Sequence, residues 1–186
     1  MKNTLLYFCL IFIIGCKKEI QKPKTARNSA QNCQIPLNYF DSVNINSSEP
    51  YKLKLNLKSQ KSNSYDLSIA MELNNGAHFV SPNAKRDFKG KFKIYFDETT
   101  HLKQVGKLIE IPLSVEEYDE HPFVNGTVNW VRENTVYHQK IKRLKNEDFK
   151  VDGYIQFTIE PRCTLEKIPF TLKQVNGKMT INSPNC

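Results

Sequence analysis

Residues 153–172, GYIQFTIEPRCTLEKIPFTL, alternate apolar and polar side chains on both sides of a proline-containing break. Alternation with a period of two is typical of a half-buried strand, and proline interrupts such a run. The stretch therefore predicts two short strands joined by a tight connection at Glu160, Pro161 and Arg162. A single cysteine, Cys163, comes just past the corner. Whether this cysteine takes part in chemistry is the main question about function.

The period of two continues through most of the chain after residue 50. In residues 51–58 the apolar side chains share one face and the lysines mostly occupy the other. Asparagine–glycine pairs at 75–76 and 176–177 are strong turn signals, and no segment has a helical period over three turns. Regular short strands of this kind predict an all-β sandwich. Further strands are predicted at 65–73, 78–80, 91–96, 127–132, 135–142, 151–159, 168–172 and 178–181, with 127–132 and 135–142 as a hairpin.

Aromatic side chains within predicted strands are expected to pack in the core of the sandwich. Phe123 is the exception, because it follows Pro122 in a predicted loop. An aromatic side chain in a loop is either a lid or an anchor for a partner. The expected core residues are Phe79, Phe92, Phe96, Trp130, Tyr154, Phe157 and Phe170.

The first residues have the pattern of a secretion signal. Lys2 is followed by a continuous apolar run at 5–14, which is too short to span a bilayer but suits a signal-peptide core. Residues 13–16, Ile-Ile-Gly-Cys, resemble the lipobox of bacterial lipoproteins. This resemblance implies a signal peptide at 1–15, acyl chains such as palmitate on Cys16, and a lipid-anchored protein of the cell envelope, facing the periplasm or the surface. The alternative is an ordinary cleaved signal peptide. The sequence does not decide whether the lipid anchor lies in the inner or the outer membrane.

Residues 16–50 are expected to be the lipidated cysteine and a polar tether, with an apolar cluster at 33–40 that has edge-strand character. Residues 51–186 then form one domain. Secretion implies an oxidising compartment in which Cys33, Cys163 and Cys186 remain as thiols. Three cysteines allow one disulfide and one leftover thiol, with three pairings.

Charge and spacing argue against several other classes. The chain has 27 Lys and Arg against 19 Asp and Glu, a net charge of +8, but the lysines alternate along strands as on a solvated sheet face. We therefore expect no nucleic-acid partner, with an anionic partner as the lesser alternative. The histidines lie in separate segments without metal-ligand spacing, so we expect no metal and no cofactor. The acidic run at 116–120 is expected to be a solvated loop. The histidines are His78, His101, His121 and His138.

Several short motifs, taken in order, resemble the N-terminal domain of DsbD, the thiol:disulfide interchange protein. Strand 65–73 followed by 76–81 (GAHFVS) resembles one family motif, and 113–119 (LSVEEYD) resembles the segment that leads to the family's cap loop. Strand 136–142 and residues 153–172 follow in the family order. The resemblance covers about residues 51–181. It implies an immunoglobulin-like β-sandwich that exchanges electrons between a membrane partner and periplasmic proteins, such as thioredoxin-like ones.

The resemblance also implies site residues. Cys163 matches the second of the family's two cysteines, and residues 119–126, beginning with Asp119, match the cap loop. Phe123 is the expected shielding aromatic, with Tyr118 second. The first cysteine is missing, because counting back with five residues between leads to Phe157. A dithiol cycle needs two sulfurs whose Cα atoms come within about 7 Å.

Cys163 therefore has three alternatives: a structural bridge to Cys33 or Cys186, an exposed thiol that forms mixed disulfides, or an inert half-buried sulfur. We favour an accessory, partner-binding domain that has lost its dithiol and is not itself an enzyme. One alternative is a working thiol–disulfide oxidoreductase that uses Cys163 with Cys33 or Cys186. Another is a structural or ligand-binding envelope lipoprotein.

Overall fold

A computed structural model describes residues 49–184, which form strands, turns and loops without a helix. Cys16, Cys33 and Cys186 lie outside the described residues, as do the predicted signal and most of the tether. The eleven strands are β1 (Tyr51–Ser59), β2 (Ser64–Leu73), β3 (Phe79–Val80), β4 (Lys93–Phe96), β5 (Leu102–Ile111), β6 (Glu116–Asp119), β7 (Gly126–Val131), β8 (Thr135–Arg143), β9 (Phe149–Ile159), β10 (Thr164–Val175) and β11 (Lys178–Asn182). Within this range, no helix long and apolar enough to cross a membrane is found.

Two four-stranded antiparallel sheets pack face to face and make the chain an immunoglobulin-like β-sandwich. The first sheet has the order β1-β2-β8-β5 and the second has the order β11-β10-β9-β4. A smaller sheet, β3-β7-β6, joins them. The all-β prediction is confirmed, and the predicted strand pair around residue 160 is the β9–β10 hairpin, which pairs Ile159 with Thr164.

The core lies between the two large sheets and is formed by alternate side chains of their strands, which point inward. Phe79, Phe92, Phe157 and Phe170 are buried, as the sequence predicts. Tyr154 is an exception: its ring stacks on Tyr95, 4.7 Å between centroids, on the outer face of the second sheet rather than in the core. Its position between Gly153 and Ile155, which are both buried, turns its side chain to the outer face.

Two local predictions from the sequence are wrong. Strands β7 and β8 are not a hairpin: β7 pairs with β3 and β6, whereas β8 pairs with β2 and β5. Asn134 explains the crossing, because its side-chain oxygen accepts a hydrogen bond from the Leu73 amide at 2.9 Å and fixes the connection over β2. The acidic run is also not a loop, since Glu116–Asp119 is strand β6, paired with β7.

One end of the sandwich collects the start of the described chain, the small sheet and the β9–β10 turn. Tyr51, at the start of β1, pairs with Leu73 at the end of β2. The Tyr51 hydroxyl also donates to the Glu166 carboxylate near the β9–β10 turn, at 3.1 Å. Strand β5 ends at Ile111 on the same side, since Ile111 pairs with Val136 near the start of β8.

Candidate functional site

Cys163 lies in the turn of the β9–β10 hairpin rather than in a strand. It has a φ of 53° in the left-handed region, which a non-glycine residue rarely adopts. Its side chain is exposed, and its thiol forms no disulfide with any residue of 49–184. The half-buried placement of the sulfur is therefore wrong, because Cys163 is exposed in the turn, whereas its reactivity stays a prediction.

The position that the DsbD family would fill with its first cysteine is part of the core. Phe157 is fully buried and pairs across the hairpin with Glu166, not with Cys163. Its ring packs edge-on against Tyr51, 5.0 Å between centroids. A sulfur at position 157 would thus point into the core instead of toward Cys163.

The Cys163 turn is joined to the small sheet by backbone hydrogen bonds. The His78 amide donates to the Glu160 carbonyl at 3.1 Å, and the Glu160 amide donates to the His78 carbonyl at 2.8 Å. The His78 ring then packs edge-on against the Trp130 ring, 4.9 Å between centroids. These contacts connect the turn to strand β7.

Trp130 continues the connection to the predicted cap loop. Its indole Nε1 donates to an Asp119 carboxylate oxygen at 2.8 Å, and the His121 amide donates to the other oxygen at 2.8 Å. The hydrogen bonds from His121 and Trp130 lower the pKa of Asp119 below its ordinary value. Asp119 thus stays charged and holds the start of the loop on the small sheet.

Residues 120–125 form the loop of the β6–β7 hairpin, in which Asp119 pairs with Gly126. The Arg86 guanidinium donates to the Val124 carbonyl at 2.6 Å and ties the loop to the segment after β3. Phe123 projects from it with 91% of its surface exposed, and Tyr118 on β6 is 65% exposed. Because Phe123 and Cys163 are both exposed, Phe123 does not shield the sulfur as the resemblance implied. We call the turn at 160–163, His78, Trp130 and residues 118–125 the corner surface.

The start of the described chain lies beside the corner surface. The Arg162 guanidinium lies 3.8 Å from the Glu49 carboxylate and 2.7 Å from the Glu166 carboxylate. Burial, followed by the nearby Glu166 charge, raises the pKa of Tyr51 well above its usual value. Tyr51 is therefore a neutral hydrogen-bond donor that holds β1 next to the turn.

The length of chain available to Cys33 and to Cys186 decides which of them can reach Cys163. Asn182, the last residue of β11, pairs with Thr171, seven residues from the start of β10, so about 23 Å of strand separates it from the turn. The four residues that lead to Cys186 span at most about 14 Å. The distance left between the Cα atoms of Cys186 and Cys163 would thus exceed the roughly 7 Å that a disulfide allows. Cys33 precedes Glu49 by sixteen residues, enough for about 50 Å. We therefore expect any intramolecular bridge to use Cys33; the pairing itself stays a prediction.

A buried polar cluster beside the small sheet escaped the sequence prediction. The Glu110 carboxylate accepts hydrogen bonds from the Ser81 hydroxyl, the Asn83 amide at 2.9 Å and the Ser114 backbone amide at 3.0 Å. Burial raises the pKa of the neighbouring Tyr137 well above its usual value, and the Glu110 charge adds to this. In the sequence, the only feature that indicates this cluster is a single glutamate, Glu110, between two isoleucines. The cluster fixes the loop after β3 to the end of β5.

The four histidines stay apart in the structure. His101 contacts the Glu147 carboxylate at 3.0 Å, which also lies 3.5 Å from the Lys145 ammonium, and His138 contacts Asp66 at 2.8 Å. In residues 49–184, no group of three or more His, Cys, Asp and Glu side chains could hold a metal ion.

Comparison with known proteins adds no relative. No protein-family model, no curated protein and no solved structure matches the chain.

Proposed function

We propose that the chain is a lipid-anchored envelope protein, related to the DsbD N-terminal domain, whose corner surface binds a protein of thiol–disulfide interchange without itself turning over. One observation carries this proposal. An exposed cysteine turn and an exposed aromatic loop are joined by a continuous series of contacts through His78, Trp130 and Asp119.

The composition of the corner surface suits protein recognition. Exposed aromatic side chains are common anchors in protein interfaces, because they bury a large area and lose little conformational entropy. Phe123 and Tyr118 are both largely exposed on the same hairpin. The Arg162 guanidinium next to Cys163 adds a charged donor at the rim.

The loop that carries the aromatic anchor is held in place before a partner arrives. Arg86 bonds the Val124 carbonyl, and the Tyr118 hydroxyl donates to the Asn125 side chain at 3.2 Å. Asp119 fixes the other end of the loop through two hydrogen bonds. Such preorganisation lowers the entropy cost of binding.

The lack of turnover follows from sulfur geometry. Cys163 is the only cysteine among residues 49–184, and Phe157 fills the position of the missing partner with a core side chain. A disulfide cannot form within the hairpin under these conditions. The corner surface would therefore contact a redox partner but not exchange electrons through a local dithiol.

The tether places the corner surface toward the membrane. The described chain begins at Glu49, beside Arg162, so an anchor on Cys16 would be attached at the end that carries Cys163. The predicted tether, about 33 residues from Cys16 to Glu49, would have a root-mean-square length of about 30 Å if it behaves as a flexible chain. The partner should therefore be a membrane protein or a protein held close to the membrane.

The second candidate is an oxidoreductase that uses Cys163 with Cys33. The contact between Glu49 and Arg162 favours it, because it starts the upstream chain within reach of the exposed thiol. In that case Cys33 would replace the missing dithiol partner from outside the hairpin.

Thiol mapping and turnover separate the two candidates. The mature chain is purified without reductant, alkylated in its native state, and mapped by mass spectrometry before and after treatment with glutathione. We expect either rapid alkylation of Cys163 or a Cys33–Cys163 bridge that resists glutathione, with no catalysis of disulfide exchange in a thioredoxin-fold substrate. A bridge that glutathione reduces readily, with turnover abolished by Cys163→Ser, would favour the oxidoreductase.

A further inference from the structure

Exposed aliphatic side chains line the end of the edge strand β5 and the segment after it. Ile109, Ile111, Leu113 and Val115 occupy alternate positions and are 57%, 55%, 66% and 82% exposed. Scattered exposed apolar residues are ordinary, but here Ile109 and Ile111 share the outer face of β5, and Leu113 and Val115 follow them directly in the connecting segment. We call these four residues the aliphatic stripe.

A bulge sets the direction of the stripe. The register of β5 against β8 shifts between Val105 and Ile109, where Gly106 has a φ of 73°. Beyond the bulge, Glu110 points inward to its hydrogen-bond donors, so the isoleucines on either side point outward. Because Glu110 is anchored, the exposure of Ile109 and Ile111 is built into the fold.

The stripe borders a face of the first sheet that is rich in lysine. Lysines at alternate positions of β1, β5 and β8 point outward, and five of them make no ion pair with any other described residue. The acidic groups on this face, Asp66 and Glu72, already contact His138 and Lys54. The five lysines are Lys52, Lys58, Lys103, Lys140 and Lys142, all exposed.

Two of these lysines stand directly opposite each other. Lys103 on β5 pairs with Lys142 on β8. Like charges in opposite positions of a sheet repel each other and destabilise it. A layer of negative charge over this face would remove that repulsion.

We propose that the outer face of the first sheet, with the aliphatic stripe, lies on an anionic lipid bilayer. The lysines would contact the headgroups, each adding to the attraction, and the stripe would insert among the upper parts of the acyl chains. A soluble anion or a nucleic acid would neutralise the lysines but leave the stripe in water. A bilayer is the partner that satisfies both.

A second copy of the chain fits this face less well. A stable dimer buries about 800 Å² per partner, more than four half-exposed aliphatic side chains supply. Pairing of two such faces would also bring two sets of lysines together. The repulsion between them opposes a dimer.

The outer face of the second sheet provides an internal comparison. Three of its lysines have nearby partners: Lys93 contacts Asp87, Lys150 contacts Asp152, and Lys167 lies over the Tyr154 ring. Lys173 and Lys178 are exposed there. This face carries no aliphatic stripe, so its lysines serve as a matched control.

The test uses the non-acylated chain of residues 17–186, so it does not depend on lipidation or on the proposed function. Sedimentation with vesicles of phosphatidylcholine containing about 30% phosphatidylglycerol is compared with pure phosphatidylcholine. We expect binding to the anionic vesicles only. Lys140→Gln with Lys142→Gln should weaken it about 25-fold at low salt, since each lysine near the surface contributes about fivefold.

Two further variants test the geometry. Ile109→Ser with Ile111→Ser should weaken vesicle binding about tenfold. The loss should be the same at high salt, since it comes from apolar contact and not from charge. Lys173→Gln with Lys178→Gln makes the same charge change on the other sheet and should alter binding less than about twofold. Unchanged thermal midpoints would show that each variant is folded.

Three results would overturn the proposal. The first is an equal loss in the Lys173 and Lys178 variant, which would indicate attraction by net charge alone. The second is tighter binding to duplex DNA or to glycerol phosphate than to vesicles. The third is equal binding, or none, on the two kinds of vesicle.

Discussion

Replacing Phe123 by alanine should leave the free energy of unfolding almost unchanged. Its side chain is 91% exposed, so about 20 Å² of a phenylalanine surface of roughly 200 Å² is buried on folding. At about 25 cal/mol per Å² this area contributes about 0.5 kcal/mol. Its ring contact within the described chain is with His121, 5.4 Å between centroids, on the same loop.

Phe79→Ala is the matched control in the core. Phe79 is fully buried and its ring lies 5.2 Å from Phe157 and 5.7 Å from Phe92, so its removal should cost about 3–5 kcal/mol. Urea unfolding followed by Trp130 fluorescence measures both variants, with equal slopes required for the comparison. A loss above about 2 kcal/mol for Phe123→Ala would refute the assignment of this residue to a free binding surface.

Three further substitutions test the local geometry. Cys163→Gly should be about 1 kcal/mol more stable than Cys163→Ala in the reduced chain, because glycine adopts the left-handed backbone of this turn without strain; equal stabilities in chemical unfolding would contradict it. Asp119→Asn should lower the thermal midpoint at neutral pH, and its difference from wild type should shrink as the pH falls below about 4. The sign follows because the pKa of Asp119 is lower in the folded state than in the unfolded state. Its charge therefore stabilises the fold at pH values above the unfolded-state pKa, and this stability is lost as the pH falls through the folded-state pKa. A difference that does not change with pH would contradict it. Glu110→Ala should cost about 2–4 kcal/mol, since it leaves buried donors unsatisfied, whereas an effect below about 1 kcal/mol in urea unfolding would contradict the buried cluster.

The alternation of side chains was enough to predict the sandwich and the β9–β10 hairpin. In strands such as β9 the period of two is unbroken over the whole length, so one face is fully buried. Strand β5 was not predicted, because its bulge interrupts the alternation and places a glutamate inward between two outward isoleucines. Local patterns do not contain this information.

Strand pairing and the site show the same limit. Sequence proximity suggested that β7 and β8 pair, but the partners of both strands lie elsewhere in the chain. The sequence indicated Cys163 and Phe123 as site residues by position, yet not that His78 and Trp130 connect them. Such a connection depends on the bridge between His78 and Glu160, which joins residues that are distant in sequence.

Photo-cross-linking at position 123 tests the central proposal most directly. A photoreactive phenylalanine analogue replaces Phe123 in the full chain in cells, and a matched chain carries it at Val175, the exposed last residue of β10, at the opposite end of the sandwich. We expect a discrete cross-linked membrane or membrane-associated protein from position 123 that is absent from position 175. The same products from both positions, or none from position 123, would contradict a partner-binding corner surface.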